Sequence, residues 1–192
     1  MKRMTAAVLG AVVMVASATA MAGGEPTVET GFKVVTGGTN LVSDTAFDLQ
    51  NTVSGSSLTY KRQGSLGGIN LGWNGTHGNY VTVKRQNGGG NVLYGEPVAL
   101  KVRVGSDGNW LKYEHRSQGI NLNWDKSPQY EWIIKGGADG QPVKAGDTIA
   151  IVSTKENDSV IYCYRANGAW LKWSKDCSRA ERELAKRNAP SR

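Results

Sequence analysis

Three tryptophans, Trp73, Trp124 and Trp173, fall 51 and 49 residues apart, and each closes a short segment of alternating apolar and polar residues. The segments are LTYKRQGSLGGINLGW (58–73), LKYEHRSQGINLNW (111–124) and VIYCYRANGAWLKW (160–173). The last two align without a gap and share Tyr113/Tyr162, Arg116/Arg165, Gly119/Gly168, Leu122/Leu171 and Trp124/Trp173, while the first carries two extra residues in its glycine-rich turn. The register continues upstream: FKVV (32–35), YVTV (80–83) and WIIK (132–135) lead through glycine-containing stretches to SDTAFDL (43–49), GEPVALK (95–101) and GDTIAI (146–151). A repeat on this scale limits the chain to folds in which one supersecondary unit is used three times.

Each unit contains four short candidate strands. Val98, Leu100, Val102 and Val104 share one face of their segment, with Ala99, Lys101 and Arg103 on the other, the period of two expected of a strand with one buried face. Gly37-Gly38, Gly88-Gly89-Gly90, Asp107-Gly108, Gly136-Gly137 and Asn167-Gly168 supply turn chemistry between them. Three units of four strands predict an all-β sandwich or barrel over residues 32–73, 80–124 and 132–173. A propeller wants four or more blades, and a solenoid lacks threefold closure.

The motifs G-[DE]-x-V/I-x-L/I, Leu-x-Tyr, a glycine turn and apolar-x-Leu-x-Trp resemble the β-trefoil superfold across residues 32–173. The two later units are similar to fascin-type and ricin-type repeats, with Leu-x-Trp standing where ricin-type lectins have Gln-x-Trp. The resemblance implies a six-stranded barrel closed at one end by three hairpins. Because the glutamine is replaced, none of those lectins' sugar-binding residues carries over to this chain.

Outside the repeats, Met1-Lys2-Arg3, the apolar run 6–16 and Ala20-Met21-Ala22 before Gly23 form the pattern of a secretory signal peptide over residues 1–22. The run is shorter than the about 20 residues a bilayer span requires, so no membrane span is expected. Export, to the periplasm or outside the cell, places Cys163 and Cys177 in an oxidising compartment, where one disulfide is the simplest expectation. A reactive pair is the alternative, but C-x-x-C spacing is absent. Residues 175–192 form a basic tail in which 179–187 are good helix formers.

The formal charge of +7 invites a nucleic-acid reading. Two of those charges belong to the leader and three to the tail, leaving +2 on residues 23–174. Nucleic acid is therefore not an expected partner, and weak contact of the tail with an anionic surface is.

Residues common to the three units serve the fold, so departures from the pattern point to function. Ile69, Leu71 and Trp73 share a face, as do Ile120, Leu122 and Trp124, and Ala169, Leu171 and Trp173. On the opposite face stand Asn70, Asn121 and Trp170, a tryptophan in place of asparagine. Trp110 is the second departure, where the other units have Ser57 and Ser159. Surface-directed indoles suit stacking on a sugar, with Asn121, Asn123, Lys112 and Arg165 as polar neighbours. Burial beneath hairpin loops or the tail is the alternative. Asp44, Glu96 and Asp147 occupy equivalent turns and read as turn chemistry.

His77 and His115 sit in different units, and H-E-x-x-H, G-x-S-x-G and P-loop spacings are absent. The chain is thus expected to be a non-catalytic, exported binding module without metal or cofactor. Its expected partner is a surface or envelope glycan. The alternative is a protein-interaction trefoil, such as an inhibitor of an exported enzyme or a toxin accessory subunit, whose partner is an exported protein.

Overall fold

Alternation along the chain becomes a sidedness that buries one row of side chains. In the strand Pro97–Val104, Val98, Leu100 and Val102 are at most 3% exposed, whereas Arg103 points to solvent. The computed structural model describes residues 28–63, 69–104, 107–117 and 119–189. The leader assigned to 1–22 and the extra turn residues of the first unit lie outside the described residues.

Twelve strands form: β1 (Phe32–Val35), β2 (Ala46–Asn51), β3 (Ser57–Tyr60), β4 (Leu71–Asn74), β5 (Val81–Arg85), β6 (Pro97–Val104), β7 (Asp107–Tyr113), β8 (Leu122–Asp125), β9 (Trp132–Lys135), β10 (Thr148–Ser153), β11 (Asp158–Tyr162) and β12 (Leu171–Trp173). A 3-10 turn, Ser174–Asp176, and one helix, α1 (Arg179–Arg187), follow. β2, β6 and β10 begin two or three residues later than their apolar patterns, because turns precede them, closed by Thr45 bonding back to the Val42 carbonyl before β2 and by an acid before β6 and β10. Glu96 accepts the Leu93 amide at 2.8 Å and Asp147 the Lys144 amide at 2.7 Å.

β1, β2, β5, β6, β9 and β10 pair antiparallel in that order, and β10 pairs back to β1, closing a six-stranded barrel. Closure leaves the ring without an open edge. Phe32, Val34, Phe47, Leu49, Val81, Val83, Trp132, Ile134 and Ile149 fill its core and are at most 2% exposed. Three further antiparallel pairs, β3–β4, β7–β8 and β11–β12, extend from the barrel strands β2, β6 and β10.

At the end of the barrel where β1 turns into β2, the three equivalent connections meet. Val92 donates its amide to the Leu41 carbonyl at 2.8 Å, Leu41 to Val143 at 2.8 Å, and Val143 to Val92 at 2.9 Å. These three bonds form a closed ring, and the three side chains are fully buried. At the hairpin end a second cyclic set appears. Tyr60 contacts Trp124 at 6.2 Å between ring centroids, Tyr113 contacts Trp173 at 6.2 Å, and Tyr162 contacts Trp73 at 5.1 Å. Each unit thus lays its tyrosine on the next unit's tryptophan. The repeating Leu-x-Tyr and Leu-x-Trp strands are the seam between units. The indole N–H groups of these three tryptophans are buried without a protein acceptor, so shape and area hold them there.

The last turn is tied down as the cysteine spacing leads one to expect: Cys163 and Cys177 form a disulfide with Cα atoms 6.2 Å apart. Ser178 and Glu181 then form a capping box that starts α1. The helix is docked. Arg182 pairs with Glu29 at 2.5 Å, Lys172 pairs with Glu181 at 2.5 Å, and Ala185 is 2% exposed. No described helix is long and apolar enough to cross a membrane.

Candidate functional site

The hairpins create clefts where the tip of one meets the Trp-bearing strand of the next. A cavity of about 300 Å3 lies between the second hairpin's Gly119, Ile120 and Asn121 and the third hairpin's Arg165, Lys172 and Trp173, with Asp176 beside it. Another, of about 250 Å3, lies between the third hairpin's Gly168, Ala169 and Trp170 and the first hairpin's Gln63, Gly72 and Trp73, with Lys61, Tyr162 and Asn188 completing its wall. In the repeat alignment Gly119, Ile120 and Asn121 correspond to Gly168, Ala169 and Trp170. Likewise Arg165, Lys172 and Trp173 correspond to Gln63, Gly72 and Trp73. The two cavities are therefore copies of one cleft furnished with different side chains. In the same alignment the counterpart of Gly119 and Gly168 in the first unit is Gly68, which lies outside the described residues.

What asparagine does in two units explains what tryptophan changes in the third. Asn70 accepts the Gln63 amide at 3.0 Å and donates to the Tyr60 hydroxyl at 3.0 Å. Asn121 accepts the Arg116 amide at 3.0 Å in the same way. Each ties its hairpin across the turn. Trp170 cannot make these bonds. Its ring instead lies 5.7 Å from Tyr162 and 5.1 Å from Tyr164, half-buried, with a face in the cleft. Gly72 gives the facing strand room for the stem of Lys61: a Cβ there would sit 2.6 Å from the Lys61 Cβ. Burial pushes the Tyr162 phenol above its ordinary pKa, so it stays neutral in the wall.

The sequence-derived candidates separate into three places. Trp170 lies in the aromatic cleft, and Asn121 and Arg165 line the other. Trp110 lines neither. It is 8% exposed, flanked across the strands by Lys101 and Asp125, with the Lys101 ammonium 5.7 Å from its ring. Alternation does place it opposite Leu111, but its strand has neighbours on both sides, and the Lys101 side chain lies over the ring. Lys112 and Asn123 converge on Glu114, at 2.6 and 2.7 Å, on the same ribbon, and Asp125 lies 3.7 Å from Lys112. The Glu114 carboxylate holds the Lys112 ammonium above the usual lysine range, and Lys112 and Asn123 hold Glu114 below the usual carboxylate range.

Lys61, Gln63, Tyr162, Lys172 and Asn188 belong to the clefts, Tyr164 backs Trp170, and none of these was among those candidates. The repeat alignment contains the signal for one of them, since Gln63, Arg116 and Arg165 occupy one column. The rest depend on which hairpins become neighbours. Asp44, Glu96 and Asp147 lie in turns, where Glu96 also takes Arg85 at 2.6 and 2.9 Å and Asp147 takes the Tyr94 hydroxyl at 2.7 Å. His77 is exposed, 3.4 Å from the buried Asp48, and His115 is exposed on another unit. Cys163, Cys177 and Glu181 bring ligand-type atoms within 4.8 Å of one another, but disulfide sulfurs are not thiolates and do not ligate as such. Compared with protein-family models, curated proteins and solved structures, the chain matches none of them.

Proposed function

We propose that this chain is an exported, non-catalytic β-trefoil that binds carbohydrate in the cleft between its third and first hairpins. The trefoil reading is supported by three four-stranded units that share a six-stranded barrel and each add one hairpin. Export is supported by the leader pattern of residues 1–22 and by the disulfide, a bond of oxidising compartments.

The observation that carries the function is Trp170. It replaces the asparagine that ties the other hairpins, and two tyrosines fix its plane before any ligand arrives. An indole held in this way stacks on the C–H face of a sugar at little cost in side-chain entropy. Lys61, Gln63 and Asn188 stand around it to meet hydroxyl groups. At about 250 Å3, the cleft is smaller than drug-sized pockets, which begin near ~300 Å3, and suits one ring of a longer glycan. No carboxylate is among its described lining residues, whereas glycoside hydrolysis by the usual route needs two flanking the scissile bond.

The test is a glycan screen of the mature chain with Trp170→Asn alongside, a variant that restores the residue type of the other two units. Binding by the wild type and its loss in a folded Trp170→Asn protein are expected. Absence of glycan binding, with a stoichiometric protein retained from the exported fraction, would replace this reading with protein recognition.

A further inference from the structure

The second copy of the cleft has a charged wall where the first has a neutral one. At the position three residues after the seam tyrosine, the units carry Gln63, Arg116 and Arg165. The first two serve their own hairpins: the Gln63 side-chain amide donates to the Leu71 carbonyl, and the Arg116 guanidinium to the Leu122 carbonyl at 3.2 Å. The equivalent carbonyl in the third unit is that of Leu171. Arg165 makes no such bond, and among the described residues it has neither a hydrogen-bond acceptor nor an acidic partner. Its side chain lines the 300 Å3 cavity beside Asn121, Trp173 and Lys172.

We infer that the cleft between the second and third hairpins binds the carboxylate of a uronic-acid residue, with the Arg165 guanidinium as its anchor. This rests on the carbohydrate reading of the neighbouring cleft, because the two are copies of one structure. A guanidinium presents paired donors that match the two oxygens of a planar carboxylate. Asn121 stands beside it with an amide suited to a ring hydroxyl. Lys172 adds positive potential, but its ammonium is already 2.5 Å from Glu181. Asp176, on the same cavity, opposes a second negative charge. One free cation next to an acid suits a monoanion and disfavours sulfate-dense or phosphate-dense chains. A polymer containing both neutral and uronic residues would meet two matching clefts around one barrel end.

The experiment titrates wild-type protein with a panel of uronate oligosaccharides, each paired with its methyl ester, which keeps the sugar and removes the charge. At least one acid form is expected to bind about tenfold or more tightly than its ester at low salt, a preference that fades as salt rises. Arg165→Gln, the residue of the first unit, is expected to abolish that preference. Lys126→Gln, which removes an exposed cation elsewhere, should retain it. Equal binding of every acid and ester overturns the inference, as does an acid preference that survives Arg165→Gln. Neutral-glycan binding that depends on Trp170 would still stand in either case, whereas loss of all glycan binding would remove the carbohydrate reading itself.

Discussion

Tyr162 meets Trp73 nearly edge-on, at 5.1 Å and 80°, and this contact joins the last unit to the first. Among the three seam contacts it is the shortest, and Tyr162 also backs Trp170. One phenol thus closes the ring of units and supports the floor of the aromatic cleft. Tyr162→Ala is expected to cost about 3 kcal/mol of unfolding free energy, measured by urea denaturation. Tyr113→Ala, at the seam between the second and third units and with neither Tyr113 nor its partner Trp173 in the aromatic cleft, should cost a similar amount of stability while sparing Trp170-dependent glycan binding by the folded fraction.

The Cys163–Cys177 bond closes a loop of 14 positions that carries β12 and the turn into α1. Reducing it, or replacing both cysteines by serine, is expected to lower stability by about 3 kcal/mol on chain-entropy grounds. Hydrogen exchange should show α1 losing protection before the barrel strands do. A loss spread evenly over the fold would show that the bond does not act locally.

Acid should loosen the helix before it unfolds the barrel. The hydrogen bond from Lys172, with those from Ser178, lowers the Glu181 pKa from an ordinary 4.5 to about 2. Glu29 is also held below its ordinary value: burial opposes this, and the hydrogen bonds from Arg182 and Ser174 outweigh it. A depressed carboxylate stabilises the folded form above its unfolded pKa, and that contribution is lost as pH falls through the folded pKa. The docked state of α1 should therefore weaken between about pH 4.5 and 2. Glu181→Gln should flatten that part of a stability-versus-pH curve.

Two glycine turns make opposite predictions. Gly136 has φ +127°, and a Cβ there would approach the Thr148 carbonyl oxygen to 2.7 Å, so Gly136→Ala should destabilise by more than about 1 kcal/mol. Gly37 has no atom within 4 Å of such a Cβ, and Gly37→Ala should be neutral or mildly stabilising. Thermal denaturation of the two variants side by side separates backbone strain from a general intolerance of the turns.

The strands, their grouping in three and the disulfide were legible because each is written in local periods or in the only two cysteines. Phe32–Val35 and Trp132–Lys135 form strands over the spans their patterns indicate. The fate of Trp110 was not legible in the same way. Alternation assigns it a side of the strand, but whether that side meets water depends on Lys101 and Asp125, which arrive from other strands. The same distinction governs the site. Trp170 stands out in the repeat column, whereas its pairing with Lys61 and Gln63 requires the third unit to close against the first.

The amide ring of Leu41, Val92 and Val143 has a consequence for origin and fragmentation. Each residue gives its hydrogen bond to one neighbour and receives from the other, so no pair of units can complete the cycle. The smallest closed form of this architecture is three units, on one chain or on three. A duplicated ancestor would have had to assemble as a trimer, and a fragment of two units cut from this chain would lack a partner for a buried amide and a buried carbonyl.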